Sequence, residues 1–502
     1  MTPHYSPTDV LLLRTQRSPN LTINNLPNEL LLEIFDFYRR GIDPYDRLWK
    51  KKCVWIDLTH VCRKWRAAMF ASSSRLELGV IVGPDKPSYI KTILSGPLPI
   101  LIDYQCRDKY INKSALWRLR AALGYPDRVR EISFEGTDGW FKQFFKATDC
   151  SFPILESLSL RFELRHGHGN YPKIPDTFLR GPDLSDLHLR RLELKNVSLK
   201  SISGFLSSAK TVTDLILVID LGKNPSAQMR RLQVVCFQSM PCLRRLDLST
   251  SCIGIQFLPT PSAPKRIVPL SKLTFFRFVG HIPLLDALVA GFSAPSLQDV
   301  VISFSDANST IGTVHLPRFI NGMKKRYHAA HLDLQAWTFN FSLLTRSECI
   351  NHCKPRFKLY PSSNNPGPDL HSSFMRLSDA LSTKLTTVEE LRVTIAKITY
   401  IPWVNDILWR RFLRQFPGVK ALRINGLKTS QIARIVIRNH TEPDDYFPFL
   451  PALEEIELPK LPSLTHETRS QLSKRTAELA LFEPFISARK RAGRPAKVFF
   501  GQ

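Results

Sequence analysis

One register recurs through most of this chain and restricts what the chain can fold into. A large apolar residue is followed three and five positions later by two more, in the pattern Φ-x-x-Φ-x-Φ. Behind a proline two residues upstream it begins at Leu155, Leu243, Leu297, Val419 and Leu453. Without the proline it begins at Val129, Leu189, Val212, Leu273, Ala329 and Val388. Successive starts are mostly 23 to 34 residues apart. The interval from Ala329 to Val388 is about twice as long, and a degenerate unit is expected inside it around Phe357–Tyr360.

The alternating end of each unit reads as a short strand whose inward side chains line a core. A preceding proline ends the helix before it and holds its neighbour extended. Helical stretches are expected between strands, at Ile202–Ala209, Leu284–Phe292, Phe374–Leu385 and Val404–Phe416. A unit that small cannot bury its own apolar face, so it must stack on the next one. The pattern resembles the leucine-rich-repeat family, which implies an α/β solenoid. Val197 and Ser251 stand where that family places the Asn or Cys of its side-chain ladder, so the array is expected to be irregular. A plain α/β domain with several parallel strands is the competing architecture.

Ahead of the repeats, residues 24–69 hold two amphipathic segments. Pro27 suits a first helical position, where no N–H is needed, and Glu29 follows in a first turn that favours acids. At helical spacing Leu30, Leu31, Leu32, Ile34, Phe35, Phe37 and Tyr38 cover an arc of about 220°, twice the stripe an ordinary surface helix buries. Such a helix has two things to cover, its own small bundle and something else. In the second segment Val54, Trp55, Leu58, Val61, Cys62, Trp65 and Met69 share an arc of about 120°. An ordinary three-helix bundle with every Leu and Trp turned inward is the simpler alternative.

The order Leu26-Pro27-x-Glu29-Leu30-Leu31-x-x-Ile34-Phe35, then Val61-Cys62-Arg63-x-Trp65-Arg66, resembles the F-box, the short helical module that docks onto the Skp adaptor of cullin ubiquitin ligases. The 39–52 stretch is an insertion relative to compact F-boxes and is similar to one found in fungal members. Ile93–Leu101 resembles the segment that joins F-box to repeats in that family. The resemblance implies adaptor docking through Leu26, Pro27, Leu30, Ile34, Phe35, Val61, Cys62 and Trp65. It further implies a cullin reached through the adaptor and a target protein held by the repeats.

Composition narrows the remaining classes. With 43% apolar and 23% charged residues the chain reads as a folded protein. No run approaches the length of a membrane span, and Val10–Leu13 is too short for a signal peptide, so no membrane partner is expected. Nine scattered cysteines read as reduced thiols, pointing to the cytoplasm or nucleus. Cys349, His352 and Cys353 lack a second pair at zinc spacing, and His166 and His168 lack a carboxylate, so no metal is expected. Phosphate-loop, zincin and nucleophile-elbow motifs are missing, so neither catalytic residues nor a cofactor are expected. A net charge of +26 favours acidic partners and permits nucleic acid, for which no stacking platform is evident. Of the arginines beside strands, Arg230, Arg231, Arg244 and Arg245 are candidates for an acidic target. The C-terminal Arg489–Lys497 stretch reads as a solvated tail or a nuclear-import signal.

The expected organisation is therefore α/β. Residues 1–23 form a disordered N-terminus, 24–74 an all-α F-box-like module and 75–127 a linker. An irregular leucine-rich-repeat-like solenoid occupies 128–460, and a C-terminal helix and basic tail occupy 461–502.

Overall fold

The computed structural model describes residues 26–40, 58–72, 80–84, 98–106, 112–148, 150–163, 174–175, 178, 188–198, 206, 209–220, 232, 238–251, 267–304, 315–323, 326–334, 339–345, 357–361, 379, 381–395, 406–425, 430, 432–433, 450–458 and 469–500. It is a mixed α/β protein with extensive parallel sheet and several helices. The chain separates into two compact units, residues 1–165 with 177–188, and residues 166–176 with 189–502. Several sequence expectations lie outside the described residues: Val54 and Trp55, the 41–52 part of the insertion, His166 and His168, Arg230 and Arg231, and Cys349–Cys353.

The first unit begins with two helices, α1 (Asn28–Arg40) and α2 (Arg63–Ala71). Four parallel strands follow in spatial and chain order: β1 (Val80–Val82), β2 (Ile100–Cys106), β3 (Val129–Gly136) and β4 (Ser157–Phe162). Helices α3 (Lys113–Leu123) and α4 (Asp138–Ala147) connect β2 to β3 and β3 to β4. Asn112 starts α3 by accepting the amides of Ser114 and Ala115, which gives two orphan donors of the first turn a partner. Between α4 and the sheet the rings of Phe134, Phe141, Phe144 and Phe162 stack, with centroids 3.6 to 4.8 Å apart along the chain of contacts. Pairs of this kind contribute beyond their buried area.

In the second unit the parallel strands β5 (Arg191–Ser198), β6 (Asp214–Asp220), β7 (Arg245–Ser251), β9 (Phe275–Gly280) and β11 (Asp299–Phe304) pair in succession, and the short β8 (Val268–Pro269) and β10 (Phe292–Ser293) pair with each other. The repeated register explains them. Among the described side chains the first apolar residue and the two that follow in Φ-x-x-Φ-x-Φ are buried, as in Leu189, Leu192 and Leu194, then Val212, Leu215 and Leu217. The proline has a more specific role than ending a helix. It occupies the second position of a tight turn in which the first apolar amide donates to the carbonyl three residues back. Leu155 donates to Phe152, Leu243 to Met240, Leu297 to Ala294, Val419 to Phe416 and Leu453 to Leu450, all at 3.1–3.2 Å. Proline's fixed φ suits that position, and proline-free units make the same bond, as Val212 to Ala209 and Leu273 to Leu270 show.

Backbone hydrogen bonds join neighbouring turns. The Arg190 carbonyl accepts the amides of Thr213 and Asp214, the Thr213 carbonyl those of Arg244 and Arg245, and the Arg244 carbonyl those of Thr274 and Phe275. The carbonyls of His328, Glu389 and Lys420 repeat the arrangement further on.

The long interval departs from a simple succession. Strand β12 (Ala329–Leu334) does not lie beside β11; the spatial order is β11, β14 (Phe357–Pro361), β13 (Phe339–Leu344), β12, then β15 (Glu390–Ile395). Strand β13 runs antiparallel to both neighbours. The four residues between β12 and β13 are too few for a parallel crossover, so the chain must turn back on itself. The expected strand near Phe357 is present, as the return arm of this excursion. Parallel order resumes with β16 (Ala421–Asn425) and β17 (Glu455–Leu458).

Two helices back this sheet. Helix α5 (Ile282–Ala290) packs on α6 (His315–Asn321), and buried Asp286 of α5 accepts the His315 and Leu316 amides at 2.8 and 2.7 Å. Of the other expected helices, α7 (Asp406–Leu413) forms inside Val404–Phe416, and residues 381–385 are helical.

The basic C-terminus is folded. Helices α8 (Arg469–Ala480) and α9 (Glu483–Arg491) lead into β18 (Lys497–Phe500), which pairs parallel to β17. Arg489 is buried and its guanidinium donates to the carbonyls of Leu450, Pro451 and Leu453 in the last turn of the register. Burial, and the nearby Arg494 charge, push its pKa down. The expected solvated tail at Arg489–Lys497 is corrected in part: Arg489 and Ala496 are buried and Lys497 opens a strand, while Lys490–Pro495 are exposed.

Candidate docking surface

The two-sided apolar helix resolves into an inner and an outer face. Leu31, Leu32 and Phe35 of α1 close on Leu58, Trp65, Ala68 and Met69, with Leu26, Cys62 and Leu98 packed at the margin. The ring of Phe35 meets the Trp65 indole edge to face, centroids 5.0 Å apart. One turn around the same helix, Leu30 is 51%, Ile34 40% and Phe37 80% exposed, and Tyr38 is exposed beside them. Val61 is 54% exposed in the turn that precedes α2.

Local chemistry holds this arrangement. Helix α1 begins with the Leu31 amide donating to the Pro27 carbonyl. Lys64 of α2 donates to the Leu26 carbonyl at 2.7 Å, which ties the two helix starts together. The Arg66 guanidinium donates to the Thr59 carbonyl at 3.0 Å and fixes the turn before α2. Leu58 and Thr59 are helical, the chain turns at His60 and Val61, and Cys62 caps α2, its Sγ accepting the Trp65 amide at 3.5 Å. The turn carries Val61 away from the core, whereas an unbroken helix would have aligned it with Trp65.

Leu26, Leu30, Glu33, Ile34, Asp36 and Phe37 line a shallow groove of about 470 Å³. Its lining is mostly hydrocarbon, with one exposed carboxylate, Glu33, and one buried, Asp36. Such a surface can bind an apolar side chain from another polypeptide.

The eight sequence-predicted contact residues therefore divide. Leu30, Ile34 and Val61 are exposed, Pro27 is exposed at the helix start, and Leu26 and Cys62 are half-buried. Phe35 and Trp65, at 1% and 7%, are interior; as direct contacts they are corrected to the packing beneath the surface. Phe37, Tyr38 and Phe70 are outward aromatics that the motif positions omit. The breadth of the apolar arc pointed to the first two. Phe70 had no signal beyond being a large apolar residue near a helix end.

Among the described residues no group of three or more His, Cys, Asp or Glu side chains could hold a metal ion. No helix among them is long and apolar enough to cross a membrane. No family model matches this chain, and no curated protein matches it either.

Proposed function

We propose that this protein is the substrate-receptor subunit of an SCF-type cullin ubiquitin ligase. In this reading the α1–α2 pair is an F-box that docks onto a Skp-type adaptor, and the strand-and-turn array, an irregular leucine-rich-repeat-like solenoid, holds a target protein. The observation that carries it is the set of outward apolar side chains, Leu30, Ile34 and Phe37 on α1 and Val61 before α2, on a pair of helices whose own core is already closed. That is the width the F-box-like register implied, and water is a poor cover for it. The subunit would do no chemistry of its own. It would hold a target lysine close to a conjugating enzyme bound elsewhere in the complex, which turns a bimolecular encounter into an intramolecular one. Action in the cytoplasm, the nucleus or both follows from the same reading.

The test is capture of a purified Skp-type adaptor by the full chain and by Leu30→Asp/Ile34→Asp. A hot-spot contact contributes about 2 kcal/mol, so the double variant should bind at least roughly thirtyfold more weakly. Equal capture by both proteins, with unchanged circular dichroism, rejects the adaptor assignment. A basic scaffold acting on nucleic acid is the second reading, favoured by the net charge of +26. Its binding would fall steeply with salt, whereas apolar docking would barely respond.

A further inference from the structure

Helix α3 of the first unit presents an outward row of one ring between two cations. Lys113, Trp117 and Arg120, four and three residues apart, fall within about 60° of one another at helical spacing. All three are exposed, the indole by 52%, while Ala115, Leu119, Ala122 and Leu123 on the other side of the helix are buried. The Arg120 guanidinium donates to the Gln143 side-chain carbonyl of α4 at 3.0 Å. Gln143 and Lys146 stand three residues apart and so share a side of α4, and Lys146 is exposed. Just past the end of α3 a second ring, Tyr125, is 41% exposed, with the Arg128 guanidinium 5.6 Å from its centroid. Arg128 also donates to the Leu98 carbonyl at 2.6 Å, which fixes that pair in place.

The two cations of the row are separated by about 10 Å of helix axis, the length of about three stacked nucleotides at roughly 3.4 Å each. We propose that this face of the first unit binds single-stranded nucleic acid. One base stacks on the Trp117 indole, and Lys113, Arg120 and Lys146 meet the phosphates around it. Every base has a flat π face, and rings interleaved with cations are how sequence-tolerant single-strand sites are built. The net charge of +26 draws polyanions to the chain in general, and the exposed ring between cations selects the place. A run of carboxylates would meet the cations and leave the indole without a partner. One ring in the row is far short of the apolar face that a membrane-surface helix inserts. The inference goes beyond the ligase reading and does not depend on it; it gives the nucleic-acid reading a site.

The experiment measures fluorescence anisotropy of the full chain with a labelled single-stranded oligonucleotide and, as a second polyanion, a labelled Glu peptide of equal charge. Trp117→Leu keeps an apolar, helix-favouring side chain and removes the ring. It should weaken the oligonucleotide at least fivefold, while Trp117→Phe should stay within threefold of the unmutated chain. Lys113→Gln/Arg120→Gln/Lys146→Gln should weaken it at least tenfold and lower the slope of log affinity on log salt by about two. Lys490→Gln/Arg491→Gln/Arg494→Gln removes the same charge at exposed positions of the second unit and should change affinity less than threefold. If the first triple variant does not fold, the Leu and Phe substitutions at Trp117 carry the test. Equal losses in the two triple variants, tighter binding of the Glu peptide, or oligonucleotide binding that survives Trp117→Leu would each overturn this site, the last leaving the nucleic-acid reading intact. No oligonucleotide binding at all overturns both. Adaptor capture by Trp117→Leu should match that of the unmutated chain, and a parallel loss of both activities would mean general damage to the unit and overturn the assignment.

Discussion

The Phe35 ring packs edge to face on the Trp65 indole, 64° between planes, and so joins the first helix to the second from inside. That contact uses the inner side of α1, and Leu30 and Ile34 on its other side stay 51% and 40% exposed. Inner and outer substitutions should therefore have opposite signatures. Phe35→Ala should cost about 3–5 kcal/mol of stability through the cavity it leaves. Leu30→Asp should stay within about 0.5 kcal/mol of the unmutated protein, as exposed changes usually do. Thermal unfolding followed in the near-UV, alongside adaptor capture, separates them. If Leu30→Asp unfolds the unit as Phe35→Ala does, the outer face is core.

Cys62 caps α2 with a weakly accepting sulfur at 3.5 Å from the Trp65 amide. A hydroxyl is the stronger cap at this position. Cys62→Ser should raise stability by about 0.5–1 kcal/mol, the usual difference a good N-cap makes. Urea midpoints of the two proteins check it, and a lower midpoint for the serine variant would mean that sulfur packing outweighs the cap.

Arg489 binds three carbonyls of the turn at 450–453 from a helix more than thirty residues further along the chain. Arg489→Met keeps the stem and removes every donor. It should cost on the order of 2–3 kcal/mol, since buried carbonyls lose a charged partner. Hydrogen exchange is the direct probe: the Lys497 amide, which donates to the Glu454 carbonyl at 2.8 Å, should lose its protection first. Unchanged exchange at β18 would show that the strand needs no such anchor.

Tyr104 sits under α3 with its phenol donating to the Ala115 carbonyl at 3.2 Å. Burial pushes its pKa well above the ordinary 10, and the nearby Arg118 guanidinium only partly opposes this. Below pH 10 the phenol is protonated whether folded or unfolded, and its contribution to stability is complete. Above that pH the unfolded chain ionises first, so stability must fall as pH rises. Tyr104→Phe should lose about 1 kcal/mol at neutral pH with the hydrogen bond and show a flatter decline in the alkaline range. Denaturant midpoints on either side of pH 10 test this; parallel declines for both proteins would reject it.

The apolar register determined the strands. A spacing of three then two residues places Leu215 with Leu217, or Phe276 with Phe278, on one side of extended chain wherever the neighbours lie, and all four are buried. The width of the apolar arc on α1 was equally local, because helical geometry alone assigns positions to faces. Tertiary structure decided which part of that arc was covered: Phe35 turned in because Trp65 was there to meet it, and Leu30 stayed out. It also decided that β12 leaves the order of the chain, and that Arg489 enters a core which its basic neighbourhood argued against. Side-chain periodicity is a property of neighbours in the chain, whereas coverage depends on residues far apart in it. A pattern can show that a face needs a cover, and only the folded chain shows whether the protein supplies one.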